Sequence, residues 1–302
     1  MKFVLAGIGK MGKLHYEHLL QREDVELRAV IDPDEKSLSS IDGKIKKYKN
    51  FKEIDEGFDA AIVATPTKNH EEITNYFLEK NINVLVEKPI SNNIQSAEEM
   101  VKTAKKMNKV LMIGYIERHN PMIKTLMNEV ENEKIESIYT SRWAPRPKRI
   151  MYEGVVLDSM IHDIDIILQF IGEKVSIEDA YGNLGDDEYP DNAKVVLKNK
   201  KNMYAHLFSG WETKGRHRTL LLSTKENIYL GDYIKQTLIK INKKENIKNE
   251  LKIIKNKTDA IDAQITKFKE NIIQKNSYQE SLKSLEIVLD STKKIIEKNK
   301  NE

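Results

Sequence analysis

In the first 115 residues, short apolar runs alternate with longer amphipathic stretches. Runs at 3–6, 27–31, 59–64, 83–86 and 110–114, with a shorter one at 44–48, predict six strands. The segments 13–21, 69–79 and 96–107 between them predict helices. Pro66 ends the fourth strand because it cannot donate to a ladder. Strands alternating with helices imply a parallel, doubly wound sheet, an α/β architecture in which ligands meet the carboxyl ends of strands. The loops after residues 6, 31, 64, 86 and 113 are therefore expected to carry function. After residue 120 the texture changes. Runs at 136–143, 193–197, 203–208, 219–223 and 227–230 predict a largely antiparallel sheet. Residues 155–171 predict a buried helix, and 258–274 and 277–298 two amphipathic ones. Residues 240–257 read as solvated hairpin and loop. The expected organisation is a domain over 1–120 and an α+β domain over 121–302.

Composition narrows the class. The chain has 302 residues, 39% hydrophobic and 32% charged, as in polar globular proteins. It has no cysteine, which excludes disulfides, thiol catalysis and cysteine metal sites. No apolar run is long enough for a membrane helix, and the chain enters a strand at once, leaving no room for a signal peptide. A cytoplasmic location with no membrane partner is expected. The net charge of +3 is small beside 50 basic and 47 acidic residues, so a nucleic-acid partner is not expected, though an anionic small substrate is compatible.

Gly7-Ile8-Gly9-Lys10-Met11-Gly12 follows the first strand and opens the first helix. In this pattern Gly7 permits the turn, Gly9 lets a pyrophosphate approach bare backbone, and Gly12 lets helix and strand pack closely. The helix N-terminus then offers free N–H groups to phosphate. Asp32 closes the second strand twenty residues after Gly12, where a carboxylate can accept from an adenosine ribose and repel a 2′-phosphate. This favours NAD over NADP, softened by Lys36, while a turn or cap role for Asp32 stays open. The N-terminal domain is thus expected to be a Rossmann doubly wound parallel sheet.

Two further groups carry chemistry. Asp158, His162, Asp165 and Gln169 recur at i, i+4, i+7 and i+11 of the predicted buried helix, an ionisable stripe about 60° wide if the helix is regular. A carboxylate one turn from an imidazole prepares it to exchange a proton with a hydroxyl. A satisfied buried network, or a metal held by Asp158, His162 and Asp165, are the other readings. Glu87-Lys88-Pro89 ends the fifth strand, where Lys88 can stabilise an alkoxide or take its proton.

The motifs GIGKMG (7–12), ATPTKNH (64–70), EKP (87–89), GYIERHNP (114–121) and GVVLDSMIHDID (154–165), with Asp32, resemble the Gfo/Idh/MocA family of sugar and cyclitol dehydrogenases in type and order. The resemblance implies cofactor binding by Gly7, Gly9, Lys10, Met11, Gly12 and Asp32, with Thr65, Pro66, Asn69 and His70 on the nicotinamide side and with Glu87 and Lys88 also binding cofactor. It implies catalytic roles for Lys88, Asp158 and His162, which would also touch substrate, and needs no metal. Met160 departs from the glycine many members carry. E-R-x-N-P resembles members that oxidise nucleotide sugars, notably UDP-N-acetylglucosamine 3-dehydrogenases. Arg118 and Asn120 would then reach substrate or cofactor, and Trp143, Arg146, Lys148 and Arg149 would meet a diphosphate unless they are surface charge. The family also implies a homo-oligomer, dimer or tetramer. A free inositol or hexose as substrate, and a non-catalytic NAD sensor, are the alternatives.

Overall fold

The structure, a computed structural model, describes residues 1–147, 154–245, 247–253, 259–274 and 281–301. The chain divides into two compact units, Met1–Tyr115 with Ile261–Leu282, and Ile116–Ala260 with Lys283–Glu302.

The first unit holds a six-stranded, wholly parallel sheet. Its strands are β1 (Lys2–Ala6), β2 (Glu26–Ile31), β3 (Lys46–Tyr48), β4 (Ala60–Val63), β5 (Asn83–Glu87) and β6 (Leu111–Gly114), in the order β3-β2-β1-β4-β5-β6. This is the expected Rossmann order, which reverses direction between β1 and β4 and opens a binding crevice at their carboxyl ends. The near-continuous apolar runs follow from cover on both faces: Val4, Leu5, Ala6, Ala60–Val63 and Val84–Val86 are fully buried. Helices α1 (Lys10–Leu20), α2 (Glu35–Ser39), α3 (His70–Glu79) and α4 (Ile94–Lys106) connect the strands.

The boundary expected at residue 120 leaves out a return of the chain. Among the described residues of 261–282, α7 (Ala260–Ile273) packs back on the first unit, with Phe268 edge-on to Phe3 at 6.2 Å. Ile261, Ile265 and Phe268 make the buried stripe that drives this packing.

The second unit is an eight-stranded sheet of β7 (Ile135–Pro145), β8 (Val175–Leu184), β9 (Pro190–Asn199), β10 (Tyr204–Gly210), β11 (Glu212–Thr224), β12 (Asn227–Asp232), β13 (Thr237–Asn242) and β14 (Lys248–Leu251). Their order is β14-β13-β12-β11-β7-β10-β9-β8, antiparallel except for the β7–β10 pair. The 240–257 stretch carries the end of β13 and all of β14, which pair as a hairpin. Helices α5 (Pro121–Val130), α6 (Ile161–Ile171) and α8 (Lys283–Lys300) complete the unit. The edge strand β8 is covered by α8, whose Lys294 Nζ and Asn299 Nδ2 donate to the Ile177 and Gly182 carbonyls at 3.0 and 2.9 Å.

The helix expected over 155–171 is helical throughout but not uniformly wound. Residues Val156–Met160 form a π turn, and α6 proper starts at Ile161. Gly154, at φ +63°, opens this segment. Met160 is fully buried.

Candidate active site

In the first unit the glycine turn has the geometry of a phosphate cradle. Gly7 adopts φ +93°, and a Cβ there would lie 2.6 Å from the Ala64 carbonyl oxygen. A Cβ on Gly12 would lie 1.9 Å from the Gly7 carbonyl oxygen. A Cβ on Gly9 would meet nothing within 4 Å. Gly7 and Gly12 are therefore closed by the protein itself, and Gly9 presents its backbone outward. Gly9 caps α1 without any side-chain hydrogen bond, and no acidic residue occupies the first turn, so the N–H groups of Lys10 and Met11 start a helix end suited to an anion.

Asp32 ties this turn to the end of β2. Its Oδ2 accepts from Ile8 N–H at 2.7 Å and its Oδ1 from Asp34 N–H at 2.9 Å. The helix-cap role belongs to Asp34, which accepts from Lys36 and Ser37 N–H in α2. A carboxylate offers about four acceptor positions, so Asp32 keeps capacity for a ribose after bracing the turn. The uncapped helix start, the open Gly9 and the buried Thr65 hydroxyl, which has no hydrogen-bond partner, together fit a dinucleotide. Pro66 and Asn69 are exposed on the loop between β4 and α3.

His70 is not on that loop's surface. It is 1% exposed, and its ring nitrogens face three carbonyls, Nε2 at 2.9 Å from Thr65 O and Nδ1 at 3.0 and 3.2 Å from Pro89 O and Ile90 O, the neutral ring donating to one side according to its tautomer. It fastens the loop after β4 to the loop after β5, behind the residues expected to meet cofactor. Burial pushes its pKa below the ordinary imidazole value, against the pull of the three carbonyls. Glu87 is likewise buried, with Oε1 2.7 Å from His15 Nε2 on α1. Its carboxylate also lies over Gly114, where a Cβ would come within 2.9 Å of Oε2. Glu87 and His70 thus support the loop that presents Lys88, which is half-buried before a cis Pro89. His15 carries no sequence signal beyond its place on the buried face of α1.

In the second unit, Asp158 and His162 are both half-buried, on either side of the junction between the π turn and α6. The other two members of the predicted stripe diverge. Asp165 is buried in a bidentate pair with Arg118, Nε to Oδ2 at 2.7 Å and Nη2 to Oδ1 at 2.6 Å, and Gln169 is exposed. The π turn shifts only Asp158 relative to the other three, which share the regular α6; Asp165 and Gln169 differ in surroundings, Arg118 meeting the first and solvent the second. Burial raises the Asp165 carboxyl above the ordinary value while the Arg118 fork opposes this. Its place in that fork removes Asp165 as a third metal ligand.

Several residues expected to touch substrate are held elsewhere. Arg118 belongs to Asp165. Asn120 caps α5 by accepting from Met122 N–H at 3.1 Å and donates to Glu117 at 3.0 Å. Arg146 pairs with Asp187 and Asp191 and lies 5.7 Å over the Trp211 ring. Trp143 donates to Ser141 Oγ at 2.7 Å, and its ring covers Gly210. Side chains alternate along a strand, so Trp143 projects from the sheet face opposite to its neighbour Arg142, which binds Asp163 of α6. Lys148 and Arg149 lie outside the described residues. A long-range partner, which sequence spacing does not reveal, is what redirects Arg118 and Arg146.

Sequence reading also missed a buried ionic network. Arg142 donates to Asp163 Oδ2 and Oδ1, both at 2.8 Å, and to Glu117 Oε1 at 3.2 Å. Arg218 donates to the same Glu117 oxygen at 3.2 Å. Burial disfavours the Arg142 charge, but Asp163 and Glu117 outweigh it and keep the guanidinium protonated.

Comparison with known proteins shows the family. Residues 1–115 match the model of the oxidoreductase family with an NAD-binding Rossmann fold, Gfo/Idh/MocA, and residues 128–229 match the Gfo/Idh/MocA C-terminal domain. The chain is 30% identical to a myo-inositol 2-dehydrogenase of Thermotoga maritima over 221 residues, 66% of this chain and 65% of that protein. It is 22% identical to a UDP-N-acetylglucosamine 3-dehydrogenase of Acidithiobacillus ferrooxidans, over 79% of this chain and 76% of that one. The match spans about two thirds of the length of the first curated relatives. A solved structure of a UDP-N-acetylglucosamine 3-dehydrogenase from A. ferrooxidans superposes with a TM-score of 0.87 at 20% identity, over 98% of each chain, a likeness of fold. No helix among the described residues is long and apolar enough to cross a membrane.

Proposed function

Because the chain belongs to the Gfo/Idh/MocA oxidoreductase family, we propose that it is an NAD-dependent dehydrogenase of a sugar secondary hydroxyl. The observation that carries this reading is the phosphate cradle: Gly7 and Gly12 closed by backbone, Gly9 open, α1 uncapped. Bound NAD supplies the hydride acceptor. Gly7–Gly12 hold the pyrophosphate, Asp32 the adenosine ribose, and Thr65 the nicotinamide side. Lys88 stabilises the alkoxide, and His162, oriented by Asp158, takes the hydroxyl proton. Asp32 supports NAD over NADP, since a fixed carboxylate repels a 2′-phosphate.

The substrate we propose first is the 3-hydroxyl of a nucleotide sugar such as UDP-N-acetylglucosamine, supported by similarity to a dehydrogenase of that name. The second is myo-inositol, supported by the 30% identity to an inositol dehydrogenase. The engagement of Arg118 and Arg146 within the protein favours this second reading, because neither is a spare diphosphate cation. We also propose a cytoplasmic homo-oligomer, dimer or tetramer. In support, half-exposed Ile239, Leu230, Leu221 and His206, with exposed Tyr139, line one face of the eight-stranded sheet. Mass spectrometry of UDP-N-acetylglucosamine and of myo-inositol, each incubated with protein and NAD, tests the reading. Loss of two hydrogens from one of them is expected. Tight NAD binding without turnover on a sugar panel overturns the enzyme reading in favour of a sensor.

A further inference from the structure

The segment carrying Asp158 and His162 is regular neither in backbone nor in environment. Five residues, Val156–Met160, are wound as a π turn, and the α-helix resumes at Ile161. Loss of the extra residue of such a turn rotates the side chains before it by about 100° relative to those after it. The angle between Asp158 and His162 therefore depends on the π turn staying where it is.

Beyond the junction, arginine forks hold α6 on two sides. Asp163 lies in the fork of Arg142 on β7, and Asp165 in the fork of Arg118 on the 3-10 turn Ile116–His119. Two residues apart, Asp163 and Asp165 point about 200° apart around a helix, so the forks grip it from opposing sides. Ser284 of α8 donates to Asp165 at 3.3 Å. Glu117, next to Arg118 in sequence, receives Arg142, Arg218 and Asn120, which links the two forks into one network. Tyr233 lies under Arg142, its ring 5.5 Å from the guanidinium.

Buried ion pairs are a poor way to gain stability, because apolar residues of similar volume often do as well or better. Their attested use is to fix a register, and a planar arginine fork on a carboxylate allows one geometry where a lysine allows many.

We propose that Arg142 and Arg118 are positioning residues whose forks on Asp163 and Asp165 lock the register in which α6 leaves the π turn, and so aim the His162 imidazole relative to Asp158. The inference rests on the proposed proton-handling role of His162. Arg142→Lys keeps the cation and loses the fork. Its expected effect is a fall in kcat of about 10- to 100-fold, as misplacement of a reacting group gives, with the KM for NAD changed by less than about threefold. The NMR titration midpoint of His162 is expected to move. The double variant R142M/D163L, with the fork replaced by apolar volume and Glu117 left to Arg218 and Asn120, is expected to keep its unfolding midpoint and still lack normal kcat, which separates aiming from mere stabilisation. An Arg142→Lys chain that titrates His162 as the parent does overturns the brace; where that variant fails to fold, Arg118→Lys decides in the same way. A parent chain that oxidises no sugar takes down the proposed function instead, and the His162 titration still judges the brace.

Discussion

His15 Nε2 lies 2.7 Å from Glu87 Oε1, and both side chains are buried. The contact joins the helix that begins at the glycine turn to the strand end that presents Lys88. One partner removed leaves the facing atom of the other desolvated and without that bond, although Glu87 Oε2 still accepts from Lys88 N–H at 3.3 Å. His15→Leu is expected to lower the free energy of unfolding by about 2–3 kcal/mol, and Glu87→Gln, which keeps an acceptor, by about 1 kcal/mol. Urea titrations of the two variants check the ranking, and equal losses would mean that the hydrogen bond is not what the pair contributes.

The glycines separate by what their Cβ would meet. Gly12→Ala drives a methyl into the Gly7 carbonyl and is expected to cost about 1–3 kcal/mol as well as NAD binding. Gly9→Ala meets open space and is expected to shift stability by no more than about 0.5 kcal/mol while NAD affinity falls. Thermal unfolding and NAD titration of both variants test this. Undiminished NAD binding by Gly9→Ala would contradict the cradle.

Asp32 has two tasks that one substitution can divide. It braces Ile8 and Asp34 through backbone N–H groups, and we propose that it also accepts from the ribose. Asp32→Ala is expected to weaken NAD about tenfold or more and NADP less, because it removes a repulsion along with the acceptor. Equal loss for both cofactors, measured by fluorescence titration, would reduce Asp32 to a brace for the turn.

The parts of this molecule that were legible in sequence are those set by near neighbours. Phe3–Ala6, the glycine turn and α1 are contiguous, and their chemistry is carried by residues that touch along the chain. The same holds for the runs that became β4 and β5. The stripe failed as one site because Arg118 takes Asp165 and Gln169 reaches solvent, while the π turn, which has no signature in apolar spacing, offsets Asp158 from the rest. Arg118 and Arg146 looked available because their partners, Asp165 and Asp191, lie 47 and 45 residues away. The return of α7 to the first unit is equally non-local: its amphipathic stripe is evident, and the surface it covers is not.

Lys88 and His162 belong to different units. Lys88→Ala and His162→Ala are each expected to lower turnover by about 10²–10⁴-fold with NAD affinity retained, the range for loss of a positioned proton-transfer group. Stopped-flow NADH formation with the oxidised sugar checks both. Near-normal turnover in the two variants would remove the acid–base assignment.

The last expectation concerns pH and His70. Burial lowers its folded-state pKa below the unfolded value of about 6.5, so the unfolded chain binds the proton more readily. Stability is then full above about pH 6.5 and falls as the pH drops through the lower folded value. Protonation in place would suit the three carbonyls around the ring but not its burial. Because His70 joins the loop at Thr65 to the loop at Pro89 and Ile90, acid should loosen both supports of Lys88. Urea midpoints at pH 7.5 and 5.5 are expected to differ more in the parent than in His70→Gln, which cannot titrate. An equal acid loss in the two chains would place the pH dependence in other groups and leave His70 as a passive tie.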